Sequence, residues 1–434
     1  MRLPFINTDA ELLNQVQTAG ESIAPHGSEA WGGSGSHFRV TPIGDRTKAI
    51  EYINYQMPPL ILINFSDEEI DSFGIIKQIV EDPWLNYGAI IAFFRDSGTL
   101  EKINQLEDTN IVLSLQFGEI VQQFPNVLEV VGANPQILFQ RAMHKDLLSD
   151  ISGHFVIAND ISIVPFYANL IANYLYNLDF IERERKLGIN LSLSEMLINA
   201  IEHGNCGIGG KEKGEALEKG LSIPDLIRER TQDPAVSARR VHFQYAINRD
   251  HSSYVIRDEG KGFDWRSHVN VEEVDVLAKH GRGIWMSTGN VDRIEYNDAG
   301  NMVTLTVQHR KNMTNSIPLA FGDSELVDFE PGEIVFREGE ESTFLYYIAE
   351  GEFRVETNNR TLATMNPADI LLGEMSFLLE ESRSATVIAN SPGKLIKISK
   401  ETFVENIKSN PHYGLFLAKL IAQRLQRLSQ RFSS

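Results

Sequence analysis

The sequence predicts a multi-domain chain: α/β in its first third, α+β in its middle third, and a small β-roll at its end. Three observations carry that prediction. The chain has 434 residues, and at roughly 150 residues per domain this is about three domains. Through the first third, short apolar runs alternate with amphipathic helical stretches, the pattern of a parallel sheet covered by helices. Toward the end, glycines at 332, 339, 351 and 373 punctuate short strands, as in a roll or barrel.

In order, apolar runs at 2–6, 38–41, 60–65, 89–94 and 111–115 read as strands, with helices at 11–17, from Thr47 and at 74–80 between them. The Gly-rich stretch 31–36 lacks the G-x-G-x-x-G spacing and opens no helix, so it reads as a flexible loop. A mostly helical connector follows at 123–152, without Gly, Ser or Pro enrichment, and a semi-rigid joint is expected there. Residues 153–312 read as two helices, a polar insert and paired strands at 241–248, 254–257, 291–297 and 302–309. A short boundary at 313–317 leads into the last unit, 313–434. Its closing helix places Leu417, Ile421, Leu425, Leu428 and Phe432 on one stripe, beside Lys419, Arg424, Arg427 and Arg431.

Composition excludes several classes of function. The hydrophobic fraction of 42% and charged fraction of 23% are those of ordinary globular cores. A net charge of −19 repels phosphate backbones and anionic lipid, so neither nucleic acid nor membrane is an expected partner. The single Cys206 cannot form an internal disulfide, which points to a reducing, cytoplasmic setting. The start has no basic region followed by a long apolar stretch, and no later run reaches the length of a membrane span.

The most informative segment is LSLSEMLINAIEHG at 191–204. On a regular helix Glu195, Asn199 and His203 share one face, a polar column on an otherwise apolar element. A carboxylate there can orient or deprotonate a hydroxyl, and an amide oxygen one turn away is a hard ligand suited to Mg²⁺. A solvated helix face is the plain alternative. VIRDEGKGF at 255–263 ends a strand at Asp258, and Gly260 and Gly262 follow in a turn that lets backbone approach a ligand. The run Gly281-Arg282-Gly283-Ile284 offers backbone amides near a helix start for anionic oxygens.

In this order and spacing, E-x-x-x-N-A-x-x-H-G, D-x-G-x-G-F and G-R-G-I resemble the N, G1 and G2 boxes of the GHKL ATPases, the Bergerat fold, and chiefly the anti-sigma-factor serine kinases. The resemblance implies an α/β sandwich ATPase over 153–312 that uses ATP and Mg²⁺. Glu195 would be the catalytic base, Asn199 the metal ligand, and Asp258 the reader of the adenine amine. Gly260 and Gly262 would shape the nucleotide turn, Gly281 and Gly283 would hinge a lid, and His203 and Arg282 would approach the phosphates. The substrate would be an anti-anti-sigma-factor-like protein phosphorylated on serine or threonine. The alternative is an ATP-gated module that sequesters a sigma factor without phosphorylating anything. Residues 206–240 depart from the compact kinases as an insert, either a partner-docking element or a decorated loop. His144, 55 residues before Asn199, is too close for the helical hairpin of a histidine kinase.

Residues 326–398 resemble a cyclic-nucleotide-binding domain through PGEIVFREGE, LYYIAEGEFRV and LGEMSFLLEESRSATVIA. The resemblance implies a ribose contact from Glu374, a phosphate contact from Arg383, and backbone groups from Gly373, Ser384 and Ala385, with cAMP favoured over cGMP. Ala368 stands where the family has glycine, with one extra residue before Gly373. No helix-turn-helix follows, and the closing helix is expected as a lid or dimer helix in a homodimer. Residues 1–122 resemble a flavodoxin-like response-regulator receiver stripped of its chemistry: Asn64 replaces the phospho-accepting Asp, and Asn7, Thr8, Phe94 and Leu115 replace the other functional positions. A docking or dimerisation platform is the expectation. The whole reads as a kinase regulated by cyclic nucleotide, with coupling expected through the joint at 313–325.

Overall fold

The computed structural model describes residues 2–21, 38–82, 85, 88–106, 109–134, 150–218, 220–263, 265, 290–310, 314–315, 317–358 and 360–431. The stretch 31–36, the connector at 136–149 with His144, and the motif holding Gly281, Arg282 and Gly283 lie outside these described residues.

The first unit runs β1 (Arg2–Ile6), α1 (Ala10–Glu21), β2 (Arg39–Ile43), α2 (Arg46–Gln56), β3 (Leu60–Asn64), α3 (Ser72–Glu81), β4 (Ala89–Phe94), α4 (Ser97–Asn104), β5 (Ile111–Gln116) and α5 (Ile120–Ala133). Its strands are parallel in the order β2-β1-β3-β4-β5, the flavodoxin-like doubly wound arrangement. β3 and β4 are apolar along their length because both of their faces are buried. Three successive helices start on an aspartate that accepts from a backbone N–H in the first turn: Asp45 from Lys48, Asp71 from Gly74 and Asp96 from Thr99. The last of these opens α4, a helix the periodicity reading passes over.

The boundary expected at 122 falls inside α5, which packs on α1 and continues to Ala133. Part of the expected connector is therefore first-unit core, with Phe124, Val127, Leu128 and Val131 buried.

The middle unit starts earlier than expected, with β6 (Asp150–Ile157), whose whole length pairs with a later strand. There follow α6 (Val164–Asn177), α7 (Arg183–Asn199), α8 (Gly210–Glu218), α9 (Ile223–Arg230), α10 (Pro234–Ser237), β7 (Val241–Asn248), β8 (His251–Arg257), β9 (Arg293–Tyr296) and β10 (Met302–Gln308). The antiparallel sheet runs β6-β7-β8-β10-β9. β7, β8 and β10 alternate buried and accessible positions, with the buried set facing helices. α6 is buried on nearly all sides because it lies between this unit and the edge of the first sheet. There Asn173 Nδ2 donates to Ile111 O at 3.1 Å and Asn177 Nδ2 to Asn110 Oδ1 at 2.6 Å. The insert is not mere decoration: Ala216, Leu226 and Ile227 are buried in the same core, and Lys213 pairs with the buried Glu202 at 2.7 Å.

The last unit folds as two four-stranded antiparallel sheets, a β-roll. Its strands are β11 (Glu325–Phe329), β12 (Ile334–Phe336), β13 (Phe344–Glu350), β14 (Phe353–Thr357), β15 (Arg360–Met365), β16 (Leu371–Leu372), β17 (Thr386–Ala389) and β18 (Gly393–Ser399). The sheets are β11-β18-β13-β16 and β12-β17-β14-β15. Helix α11 (Glu374–Leu379) sits inside the roll sequence, and α12 (Lys400–Ser409) and α13 (His412–Arg431) close it. On α13 the expected stripe is seen where side chains are described: Leu417 is buried and Ile421 packs beside it, with Tyr413, Phe416 and Leu420 also buried. The boundary at 313–317 is already tied to the roll, since Thr314 bridges to Glu350 and Asn315 Nδ2 donates to Ile348 O and Pro367 O. Among the described residues no helix is long and apolar enough to cross a membrane.

Candidate functional site

Two polar clusters stand out, one in the middle unit and one in the roll. In the first, α7 carries Glu195 and Asn199 one turn apart, with Asn199 Nδ2 donating to Glu195 Oε1 at 3.5 Å. Both are half-buried. The regular helix stops at Asn199, and residues 200–205 form a π-turn. That wider turn breaks the one-face column expected from i+4 spacing. His203 consequently leaves the line of Glu195 and Asn199. It is exposed, and its Nδ1 meets Ile208 O at 2.5 Å.

The end of this π-turn abuts the turn after β8. A Cβ added at Gly260 would stand 2.1 Å from Gly204 O, so only glycine lets the two segments touch. Gly262, at φ +76°, completes the turn. Asp258 is buried against Gly204 and accepts from Gly260 N at 2.8 Å. Burial raises its pKa above the usual carboxylate value, and the Gly260 N–H partly offsets the rise. Asn205 fastens the turn from the other side, accepting from Glu259 N at 2.8 Å.

Sequence reasoning missed the aromatic wall beside Glu195. Tyr296 of β9 stacks with Trp265 at 5.7 Å and meets Phe263 edge-on at 5.6 Å. Its pKa is raised, first by burial and then by the Glu195 charge. The F-D-W run after the second glycine is the signal that could have pointed to it.

In the roll, Gly373 starts α11 at φ +76°, and a Cβ there would stand 2.1 Å from Arg383 Nη1. Arg383 is buried, and Nη1 donates to Gly373 O at 3.0 Å and to Ser376 Oγ at 3.2 Å, while Nη2 donates to Phe344 O. Its guanidinium lies 4.2 Å from the Phe336 ring centroid. Nε is buried with no hydrogen-bond partner, a donor left over for an anionic oxygen. Burial is the main cause lowering the Arg383 pKa, with Tyr346, Glu340 and Glu374 opposing it. Glu374 is buried, Ser384 exposed and Ala385 half-buried. Two residues beyond Ala368, Ile370 is a β-branched residue at φ +67°, which is a strained conformation.

A further polar cluster, in the first unit, is closed. At the strand ends of the first unit, Asn64 Nδ2 donates to Asn7 Oδ1 at 2.8 Å, with both residues buried. Asn7 Nδ2 donates to Asp9 O, Asn64 Oδ1 accepts from Ser66 N, and Asp67 accepts from both Thr8 N and Thr8 Oγ1. Phe94 and Leu115 are buried apolar side chains there.

Residues 326–410 match the cyclic nucleotide-binding domain family. The cyclic AMP receptor protein of Thermus thermophilus is 33% identical over 103 residues, 23% of this chain and 47% of that protein. A cGMP-dependent protein kinase of Toxoplasma gondii is 37% identical over 83 residues, 19% of this chain and 8% of that protein. Among solved structures, the catabolite activator protein of Thermus thermophilus is 31% identical, covering 26% of this chain and 56% of that one, with a TM-score of 0.25. This chain thus spans less than half the length of the curated relatives it matches. The last unit carries a cyclic nucleotide-binding domain.

Proposed function

We propose that the chain is an ATP-dependent protein serine/threonine kinase of the anti-sigma-factor type, regulated by cyclic nucleotide. The observation that carries the kinase reading is the contact of Gly204, at the end of the turn that follows Glu195 and Asn199, with Asp258 and Gly260 after β8. Asn199 points an amide hydrogen toward Glu195, and its oxygen is a donor suited to Mg²⁺, which needs few protein ligands when phosphates supply the rest. When bound, Mg²⁺ neutralises charge on the transferred group. Asp258 holds the adenine amine, Glu195 takes the proton of the acceptor hydroxyl, and the Tyr296 wall keeps water from that carboxylate. By the resemblance, Gly281 and Gly283 would hinge a lid and Arg282 would meet the phosphates, while His203 is exposed on Ile208 O.

Cyclic nucleotide, with cAMP as the first candidate, is held by Arg383 and Glu374 with backbone groups of Gly373, Ser384 and Ala385. The first unit is a pseudo-receiver that serves as a packing platform. The protein acts as a homodimer in the cytoplasm, and its substrate is an anti-anti-sigma-factor-like protein.

Calorimetry of the full chain with Mg·ATP, followed by phosphoserine detection on a partner captured in the presence of ATP, tests this. Uptake of nucleotide by both wild type and Glu195→Gln is expected, with transfer by wild type alone. Uptake without transfer in either protein leaves the sequestering module in its place, and no uptake removes both readings.

A further inference from the structure

The first unit touches both of the others, and its contact with the last unit centres on the half-buried Asp82 and the buried His412 and Tyr413. Asp82, the residue capping the end of α3, accepts from His412 Nε2 at 2.8 Å and from Tyr413 OH at 3.1 Å. His412 is 1% exposed, and the pairing spans 330 residues of sequence. Met57, at the end of α2, is buried in the same apolar cluster as Phe321, Tyr413, Phe416 and Leu417.

That cluster begins at the cassette made of Gly373, α11 and Arg383. Phe377 of α11 meets Phe403 of α12 edge-on at 5.6 Å, and Glu380 pairs with Lys400. Ile407 of α12 packs on the cluster, and α13 follows with His412 and Tyr413. Beyond Asp82, Ile75, Ile76 and Ile79 bury α3 against β3 and β4. The far edge of the sheet, at Asn110 and Ile111, is hydrogen-bonded to Asn177 and Asn173 of α6. Asn190 of α7 in turn donates to Asn169 of α6 at 2.5 Å. Packed side chains and hydrogen bonds therefore run from the cassette to the helix that holds Glu195 and Asn199.

We propose that Asp82, His412 and Tyr413 form a clamp through which cyclic-nucleotide occupancy of the roll is transmitted, by way of the first unit, to helices α6 and α7. This rests on the sensor reading above and adds the route. A rival route exists at the boundary between the middle and last units, where Thr314 N donates to Asp179 Oδ2 at 2.6 Å. Intermediacy in space is no proof of coupling, so the test measures coupling directly.

Hydrogen exchange of the full chain is followed over 72–82 and 164–177 with and without saturating cAMP or cGMP, and binding of each is measured by calorimetry. In wild type, exchange at 164–177 is expected to change by roughly 5–150-fold on ligand binding. Asp82→Ala and His412→Ala should each bring that response close to onefold, and the double variant should lose no more than either single one. Cyclic-nucleotide binding itself should persist in all three. Asp82→Asn, which keeps an acceptor oxygen, should give an intermediate response and serves if the alanine variants do not fold. A full response in the Asp82 and His412 variants, or its loss only in Asp179→Ala, overturns the clamp. Binding heat without any exchange response in wild type overturns it as well. Absence of binding heat removes the sensor reading, and the clamp with it.

Discussion

The first and middle units each hold an asparagine in a polar cluster, and they surround it in opposite ways. Asn64 is buried and shares its amide with Asn7 at 2.8 Å, with its remaining oxygen on Ser66 N. Asn199 is half-buried and held only loosely by Glu195 at 3.5 Å. The same side chain is saturated in one place and left with spare capacity in the other. A saturated buried amide contributes to stability, because removing its partner leaves a desolvated group unpaired. An unsaturated one near a glycine turn keeps an acceptor oxygen available. Site chemistry is thus set by what surrounds a residue, and residue type alone does not reveal it.

That contrast can be broken at three points, the largest effect first. His309 carries burial without saturation: it is buried with Nε2 lacking a hydrogen-bond partner, stacks on Phe180 at 4.3 Å, and has its pKa depressed to about 4, chiefly by burial. A depressed histidine is neutral when folded but takes up a proton when unfolded, so stability is full above pH 6.5 and falls as pH drops toward 4. The loss should reach about 3 kcal/mol across that window and be read in chemical denaturation midpoints; a His309→Phe variant should lose markedly less.

Asn199→Ala tests the open type. Mg·ATP affinity should fall by about 1.5–3 kcal/mol, roughly one to two decades, while the melting temperature stays within a degree or two. A large melting shift would mean that Asn199 is structural after all.

Asn64→Ala should behave in reverse, lowering stability by about 1–3 kcal/mol and leaving nucleotide affinity unchanged. Acetyl phosphate should label neither wild type nor variant in the first unit. Labelling would show that the closed crevice still does chemistry.

Much of the architecture could be read ahead of the structure because it rests on periodicity. The apolar runs at 60–63 and Ala89–Phe94 announce buried parallel strands, and the alternation of Val241–Asn248 announces a half-covered antiparallel one. The positions of Asn7 and Asn64 at strand ends followed from the same pattern, but their mutual hydrogen bond did not, since it joins residues 57 apart. Spacing also misplaced His203, because an i+4 count assumes a regular helix and the π-turn is a backbone choice made by packing. The insert looked polar, yet Leu226 and Ile227 were enough to anchor it. Nothing local to Asp82 or His412 announces that they meet.

Asn173 and Asn177 of α6 have a practical consequence for anyone dissecting the chain. α6 packs over the open rim of the first sheet, where Asn173 caps the carbonyl of Ile111 and Asn177 bonds the Asn110 side chain beside it. Severing the backbone between Asn134 and Asp150 would leave two fragments that co-purify. Expressing residues 1–134 alone would instead leave that rim bare and ready to recruit a neighbour, so an insoluble fragment would be evidence of the missing helix and not of an unstable fold.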